Sequence, residues 1–168
     1  QKVKRSLDEG YKKVKIKISP GQDLDYIQAV RDELGPDCPI MVDANNAYTL
    51  ADLPLLKELD KHNLLMIEQP LAWDDIMEHR HIQKELKTPV CLDESIIHLA
   101  SAQQAIEFDC TRIINVKPGR VGGFLKRLPF MIYVKKKVKY NLVIVCYLHC
   151  DAVQQKKKQY ILYLARLV

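Results

Sequence analysis

Short apolar runs recur along the first two thirds of the chain, and each ends on a polar or charged residue that is followed by a turn. Four of them end at Asp43, Glu68, Asp93 and Lys117, and a fifth run, ending near Lys17, alternates with period two. Near-continuous apolar runs are typical of strands in a parallel sheet that is covered on both faces. The pattern therefore predicts five strands, each with a polar residue at its carboxyl end.

Amphipathic stretches of helical length lie between these runs. Apolar residues repeat at the spacing of one helix face in four stretches, Leu24–Leu34, Leu53–Leu59, Ile76–Leu86 and Leu99–Ile106. Gly35 is placed to end the first helix, and Thr49 is placed to cap the second. The order β-α-β-α-β-α-β-α-β predicts an α/β fold with a parallel sheet.

The polar residues at the strand ends recur at a nearly constant interval. The separations along Lys17, Asp43, Glu68, Asp93 and Lys117 are 26, 25, 25 and 24 residues. Such a period indicates one repeated strand-and-helix unit, and βα-barrels keep their chemistry at the carboxyl ends of their strands. An open doubly wound sheet also binds ligands at that edge. The regular period favours a partial (β/α)8 TIM barrel of about five units.

Three carboxylates follow three successive strands. Because neighbouring strands lie about 4.8 Å apart, Asp43, Glu68 and Asp93 are placed to converge on one ion. Hard oxygen donors, without His or Cys of matching phase, favour Mg²⁺, with Mn²⁺ as an alternative, over zinc. The simpler alternative is that each acid caps the helix after it, but three acids in phase favour a metal site.

Lysines flank the carboxylates on both sides. Lys15 and Lys17 share one face of their strand, and Lys117 would lie across the mouth of a closed barrel from Lys17. An alternative is that Lys15 and Lys17 are solvated on an edge strand. A cationic neighbour such as Lys15, together with a metal ion, favours the neutral amine of Lys17 that a general base requires. The arrangement predicts proton abstraction next to a carboxylate, with Mg²⁺ holding the enediolate.

Five strings of residues carry a resemblance to a known family. They are Lys15-Ile-Lys17, Val42-Asp43-Ala44-Asn45, Ile67-Glu68-Gln69-Pro70-Leu71, Cys91-Leu92-Asp93-Glu94-Ser95 and the string from Asn115 through Lys117 and Arg120 to Gly123. Together they resemble the muconate-lactonising branch of the enolase superfamily, and within it the group of o-succinylbenzoate synthases and N-acylamino acid racemases. The match covers about residues 10 to 125, in order and at compatible spacing.

The resemblance implies a role for each matching residue. Lys17 would be the general base, Lys15 its cationic neighbour, and Lys117 either the acid/base on the opposite face or a cation that stabilises the enediolate. The implied ligands of Mg²⁺ are Asp43, Glu68 and Asp93. The implied supporting residues are Asn45, Glu94 and Arg120.

Two reactions share this machinery. The first is the syn-dehydration that gives o-succinylbenzoate in menaquinone synthesis, and the alternative is 1,1-proton transfer at the α-carbon of an N-acyl amino acid. The resemblance implies an enzyme with a small carboxylate substrate, whose parent is a homo-oligomer, and the odd number of cysteines indicates free thiols in a reducing cytoplasm. Neither a nucleic acid nor a membrane partner is expected, and no apolar run approaches the ~20 residues of a membrane span.

Charge divides the chain into two predicted regions. Residues 1–125 hold 16 Lys and Arg against 20 Asp and Glu, whereas residues 126–168 hold 10 against one. We therefore predict a partial enolase-like barrel over 1–125 and an atypical basic tail over 126–168, for which an altered reading frame is the simplest account. Two functions of another class remain as alternatives: an inactive fragment, and a tail that binds anions or nucleic acid.

Three further expectations follow from the chain as written. It begins just before the Lys15–Lys17 strand, so the capping domain and first barrel strand of the family are expected to be missing, and five strands are expected to leave two open sheet edges. The five cysteines form no framework, which predicts free thiols. Four histidines, His62, His79, His81 and His98, are expected in loops or on polar helix faces.

Overall fold

Parallel strands form the centre of the structure. The computed structural model describes residues 13–117 and 119–123 in full, and residues 143–145 and 161–164 as backbone strands. In these residues the strands are β1 (Lys13–Lys17), β2 (Ile40–Asp43), β3 (Met66–Glu68), β4 (Val90–Leu92), β5 (Ile113–Val116), β6 (Val143–Val145) and β7 (Ile161–Leu164). They form one sheet in the order β6-β5-β4-β3-β2-β1-β7, and every pairing is parallel.

Helices connect the first five strands, as the sequence predicts. They are α1 (Asp23–Leu34), α2 (Leu53–Leu59), α3 (His79–Glu85) and α4 (Leu99–Glu107), with 3₁₀ turns at Leu50–Asp52 and Asp60–His62. Gly35 ends α1 with a φ of 82°, and its N–H donates to the carbonyl of Arg31 at 2.8 Å. Thr49 precedes the 3₁₀ turn Leu50–Asp52 instead of α2 itself, and the Asp52 carboxylate accepts from both the N–H and the hydroxyl of Thr49.

The third helix is shorter than predicted. Ile76 lies in the turn before α3, and Leu86 after it has the extended backbone of the next connection. The turn is fixed by local contacts, since Glu78 donates its N–H to the Asp75 carboxylate at 3.0 Å and the His79 ring bonds the Asp75 carbonyl at 2.7 Å. These bonds compete with helical ones and delay the start of the helix.

Alternation along the strands separates two kinds of surface. One face of the sheet packs against the helices in the main core, which includes Ile16, Val42, Ile67, Leu92 and Ile114 from the strands and Ile27, Leu56, Ile82 and Ala102 from the helices. The other face carries a small apolar cluster of Met41, Met66, Cys91 and Ile113. We call this second face, which the described helices do not cover, the inner face. Because side chains two apart along a strand share a face, the residues two positions after each member of this cluster also lie on the inner face.

The five-strand set does not end in open edges as expected, and β6 and β7 are the edge strands of the described sheet instead. β6 pairs with β5, and β7 pairs with β1, so a strand from residues 126–168 covers each edge of the five-strand set. Pairing of this kind satisfies backbone N–H and C=O groups that an edge strand would expose. The sequence interpretation gave too little weight to the apolar run that contains Val143–Val145. The domain boundary at residue 125 stays a prediction.

Two smaller expectations concern the described residues alone. Their cysteines, Cys38, Cys91 and Cys110, are free, whereas Cys146 and Cys150 lie outside the described part of the chain. In the ranges that the structure describes, no helix has both the length and the apolarity that crossing a bilayer requires.

The core predicts a clear difference between two leucines. Leu56 on α2 is fully buried, whereas Leu65 before β3 is 39% exposed. We expect Leu56→Ala to lower the free energy of unfolding by about 2–5 kcal/mol, because it removes buried surface and leaves a cavity. Leu65→Ala, the matched control, should change it by no more than about 0.5 kcal/mol. Urea unfolding followed by circular dichroism measures both, and equal losses would contradict this description of the core.

Candidate active site

The register of the strands places the charged residues in a staggered row. Lys17 pairs with Asp43, and Asp43 pairs with Glu68, so these three lie level in the ladder. Glu68 pairs with Cys91, however, which places Asp93 two residues further along its strand. Stagger between neighbouring strands accompanies the strand tilt of a barrel, so the charged groups on the inner face follow this tilt across the sheet.

Lys15 is buried between two carboxylates. Its Nζ lies 2.9 Å from Asp43 Oδ2 and 2.6 Å from Glu68 Oε2, and the Lys15 side chain is only 4% exposed. Burial alone would lower the pKa of Lys15, but the two carboxylates outweigh it and raise that pKa well above its usual range. Lys15 is therefore a fixed cation rather than a solvated lysine on an edge strand.

The two carboxylates that share Lys15 differ in their protonation equilibria. Burial disfavours the charge of Asp43, but Lys15 and Lys17 together outweigh burial and lower its pKa. Burial raises the pKa of Glu68, and the Lys15 ammonium offsets only part of this effect. Asp43 is thus the more readily ionised partner, because it pairs with two ammonium groups.

Lys17 connects the ion pair to the supporting residues predicted by resemblance. Its Nζ lies 2.6 Å from Asp43 Oδ2 and also donates to Asn45 Oδ1. Asn45 in turn donates from Nδ2 to Glu94 Oε1 at 3.2 Å. Lys17 keeps 33% of its side chain exposed, so its amine stands at the open side of the cluster.

Asp93 pairs with two cations at the end of the row opposite to Lys17. Lys117 Nζ pairs with Asp93 Oδ2, and Arg120 Nη1 lies 2.6 Å from Asp93 Oδ1. Burial lowers the pKa of Lys117, but its hydrogen bond and ion pair with Asp93 outweigh burial and raise it overall. All nine residues singled out from the sequence therefore lie in two adjoining groups, one centred on Asp43 and Glu68 and the other on Asp93.

Asn115 is a buried member of the site that the sequence analysis did not single out. It is 2% exposed, and its Nδ2 donates to Glu68 Oε1 at 2.9 Å. The signal was present, because Asn115 is the one polar residue within β5 and lies two positions before Lys117, on the inner face. Its role is to orient the Glu68 carboxylate.

The donor set fits a hard cation. Among the described residues, the carboxylates are not gathered into a ready-made metal cluster, since ammonium groups pair with them. The space between Asp43 and Glu68 nevertheless accommodates a positive charge, namely the ammonium group of Lys15. Glu68 Oε2 is paired with the Lys15 ammonium, whereas Asn46 (Oδ1), Glu94 (Oε2) and Asn115 (Oδ1) have buried oxygens without a hydrogen-bond partner among the described residues. Carboxylate and amide oxygens of this kind suit Mg²⁺ better than zinc.

The loop after β3 is fixed by a buried histidine. His79 is fully buried, which corrects the expectation that it lies on a polar surface. Its Nε2 accepts the N–H of Leu71 at 3.2 Å, while Nδ1 bonds the Asp75 carbonyl. Trp73, between these two anchors, remains 54% exposed. The sequence could not reveal this, since a histidine in a polar segment gives no sign of its burial.

Parallel βα units and a row of carboxylates and lysines at the strand ends define a barrel-type enzyme domain. A sequence profile of the family described as enolase C-terminal domain-like matches residues 1–131. The chain belongs to this family. The resemblance seen in the motifs is thereby confirmed.

Two curated relatives illustrate the relationship within the family. An o-succinylbenzoate synthase from Bacillus subtilis (strain 168) is 54% identical over 120 residues, covering 71% of this chain and 32% of the relative. An N-succinylamino acid racemase from Amycolatopsis sp. is 49% identical over 120 residues, covering 71% and 33%. The chain thus spans about a third of the length of these relatives.

A solved structure supports the fold. The crystal structure of an enolase superfamily protein from Enterococcus faecalis V583 superposes with a TM-score of 0.78 at 43% identity, covering 86% of this chain and 38% of that one. The predicted partial (β/α)8 barrel of the enolase superfamily is confirmed. Its relatives are lyases and racemases, so the chain comes from a family of enzymes.

Buried His79 predicts a stability that falls in acid. Burial of the ring lowers the pKa of His79 from 6.5 to about 4. Below pH 6.5 the His79 ring is therefore protonated in the unfolded chain, whereas in the folded protein it stays neutral down to about pH 4. The free energy of unfolding should fall through this window, by up to about 1.4 kcal/mol per pH unit from this group.

The comparison that isolates His79 uses two variants of helix α3. His79→Gln should flatten the pH dependence of the free energy of unfolding, measured by urea unfolding across the window. His81→Gln, at an exposed position of the same helix, should leave the wild-type slope intact. If both variants keep that slope, His79 is not the group responsible.

Proposed function

We propose that the inner-face residues catalyse Mg²⁺-dependent abstraction of a proton α to a carboxylate, with stabilisation of the enediolate. The observation that carries this proposal is the row of three carboxylates at the carboxyl ends of β2, β3 and β4, flanked by Lys17 on β1 and Lys117 after β5. The chain spans about a third of its relatives, so the activity is proposed for the whole protein to which these residues belong.

Asp43, Glu68 and Asp93 would hold the cation. When bound, Mg²⁺ supplies positive charge that favours a carboxylate substrate and the negative charge that develops as its α-proton leaves. Because the carboxylates already pair with Lys15, Lys17 and Lys117, cation binding competes with these ion pairs. Asn115 would keep Glu68 oriented during this exchange of partners.

Lys17 and Lys117 would act from opposite sides of the carboxylates. Lys17 is the proposed base, and its partly exposed amine adjoins Asp43 and Asn45. Lys117 stands four strands away in the sheet order, with Arg120 beside it on the same carboxylate. Lys15 remains a buried cation between Asp43 and Glu68.

The dehydration that forms o-succinylbenzoate is the reaction we propose first. The 54% identity to a synthase supports it, and in that reaction Lys117 serves as a cation, the form that its pairing with Asp93 favours. Racemisation of N-acylamino acids is the second candidate, supported by the placement of two lysines on either side of the carboxylates and by the 49% identity to a racemase. Both reactions take a small carboxylate substrate, and we propose a homo-oligomeric parent.

Removal of either flanking lysine tests the shared machinery. We expect Lys17→Ala and Lys117→Ala each to reduce turnover by about 10²–10⁴-fold, because each removes a group that moves a proton or stabilises charge. Lys57→Ala is the matched control, since Lys57 makes an exposed ion pair with Glu85 on the helical side. Turnover is measured as o-succinylbenzoate formation and as exchange of the α-proton of an N-succinyl amino acid in D₂O. Activity that survives in both variants would refute these roles.

A charge-conserving change separates the two reactions. Lys117→Arg keeps the cation but loses a group that exchanges protons readily near neutral pH. A synthase should retain much of its activity in this variant, whereas a racemase should lose racemisation. Chiral chromatography and the dehydration assay give the two rates. If wild type shows neither reaction and Mg²⁺ does not raise its thermal stability, the chain is an inactive fragment instead.

A further inference from the structure

We propose that Gln69 is a positioning residue that sets the spacing of the three carboxylates by joining the ends of β2, β3 and β4. Gln69 follows Glu68 directly, is fully buried and touches the strand ends on both sides. The inference rests on the proposed cation site, whose ligands lie at these three ends. It assigns a role to a residue that carries no charge and takes no part in proton transfer.

The side-chain amide of Gln69 uses all of its hydrogen-bonding capacity across β3 and β4. Nε2 donates to the carbonyl of Leu71 at 3.1 Å and to Ser95 Oγ at 2.8 Å. Oε1 accepts the N–H groups of Asp93 at 3.0 Å and Ser95 at 3.2 Å. Two N–H donors on one side and a carbonyl on the other fix the orientation of the amide. In the reverse orientation the amide NH₂ would face N–H donors, and the amide oxygen would face a carbonyl oxygen.

The main chain of Gln69 extends the connection to β2. Its N–H donates to the carbonyl of Cys91 at 2.8 Å, and its carbonyl accepts the N–H of Asn46 at 2.9 Å. The residue adopts a φ of 41°, which a non-glycine residue keeps only where its surroundings hold it. Gln69 is thus bonded to both neighbouring strand ends through its main chain and to β4 again through its side chain.

These bonds act on the position of Asp93 relative to Glu68. The two residues are not level in the ladder, because Glu68 pairs with Cys91 and Asp93 lies beyond the last residue of β4. The N–H of Asp93 is held by Gln69 Oε1 instead of a strand neighbour. Without that bond the Asp93 main chain is held at its carbonyl, by Arg120 and by the N–H of Ile96, but no longer at its N–H, so the spacing of the two carboxylates loosens. Partners that orient ligands in this way strongly affect metal affinity.

A second buried glutamine provides the matched control. Gln83 on α3 is 3% exposed, and its Oε1 accepts the N–H of Val90 at 2.7 Å. Val90 begins β4, so the two glutamines hold the same strand at its opposite ends. Gln83→Leu removes a buried hydrogen bond between a glutamine side chain and the start of β4, away from the carboxylates. Gln69→Leu removes such a hydrogen bond at the other end of β4, beside the carboxylates.

The experiment is a titration of the full chain with Mn²⁺, the spectroscopically visible substitute for Mg²⁺, followed by electron paramagnetic resonance. Wild type, Gln69→Leu and Gln83→Leu are compared, with the Tm of each metal-free variant measured alongside. We expect both variants to lower Tm, but only Gln69→Leu to raise the Kd for Mn²⁺, by about 10–100-fold. Because both variants are expected to lose stability, a lower Tm does not distinguish them. The Kd for Mn²⁺ does, since only the loss of a positioning residue should raise it.

A milder variant covers the case in which Gln69→Leu does not fold. Ser95→Ala removes one acceptor of the Gln69 amide and leaves its bond to Asp93, so the Kd should rise by a smaller factor with little change in Tm. If Ser95→Ala, and Gln69→Leu where it folds, bind Mn²⁺ as tightly as Gln83→Leu, the positioning role is overturned. If wild type itself binds no Mn²⁺, the proposed cation site fails first, and this inference fails with its premise.

Discussion

The buried ammonium of Lys15 is the interaction on which the inner face of the sheet depends. It stands between Asp43 and Glu68, and Lys15 pairs in the ladder with Met41 of the inner apolar cluster. Taking such ions out of water costs of the order of several kcal/mol each, which only close pairing offsets. Lys15 therefore allows two carboxylates to lie side by side in a place that would otherwise exclude both.

The alternation of side chains along each strand, which buries Lys15, also places the site residues on one face of the sheet and the core residues on the other. Odd positions of β1 and the matching positions of the next strands face inward, while the residues between them pack against the helices. Helical packing therefore fixes the strands without using any residue of the site. At the carboxyl ends, where the ladder stops, Gln69 continues the connection between strands through side-chain and main-chain bonds.

Much of this arrangement can be predicted from the sequence, and the remainder depends on the ladder register. Period-two alternation and the interval of about 25 residues are properties of local sequence, so the five strands and the phase of Asp43, Glu68 and Asp93 follow from them. The two-residue step between Glu68 and Asp93 arises only when strands pair. For that reason the partners of Asn115 and Gln69 were not predictable, and neither was the edge pairing by β6 and β7.

The charge balance of the site has a consequence for how ion binding relates to folding. Each carboxylate of the row pairs with at least one lysine, and Asp93 also with Arg120. Their mutual repulsion is thus compensated by the chain itself, unlike that of small metal domains whose ligands come together only around the ion. At the proposed cation site, ion binding would exchange one set of partners for another and leave the fold in place. The affinity would then depend on how well the carboxylates are held during the exchange, which is the role proposed for the uncharged amides of Asn115 and Gln69.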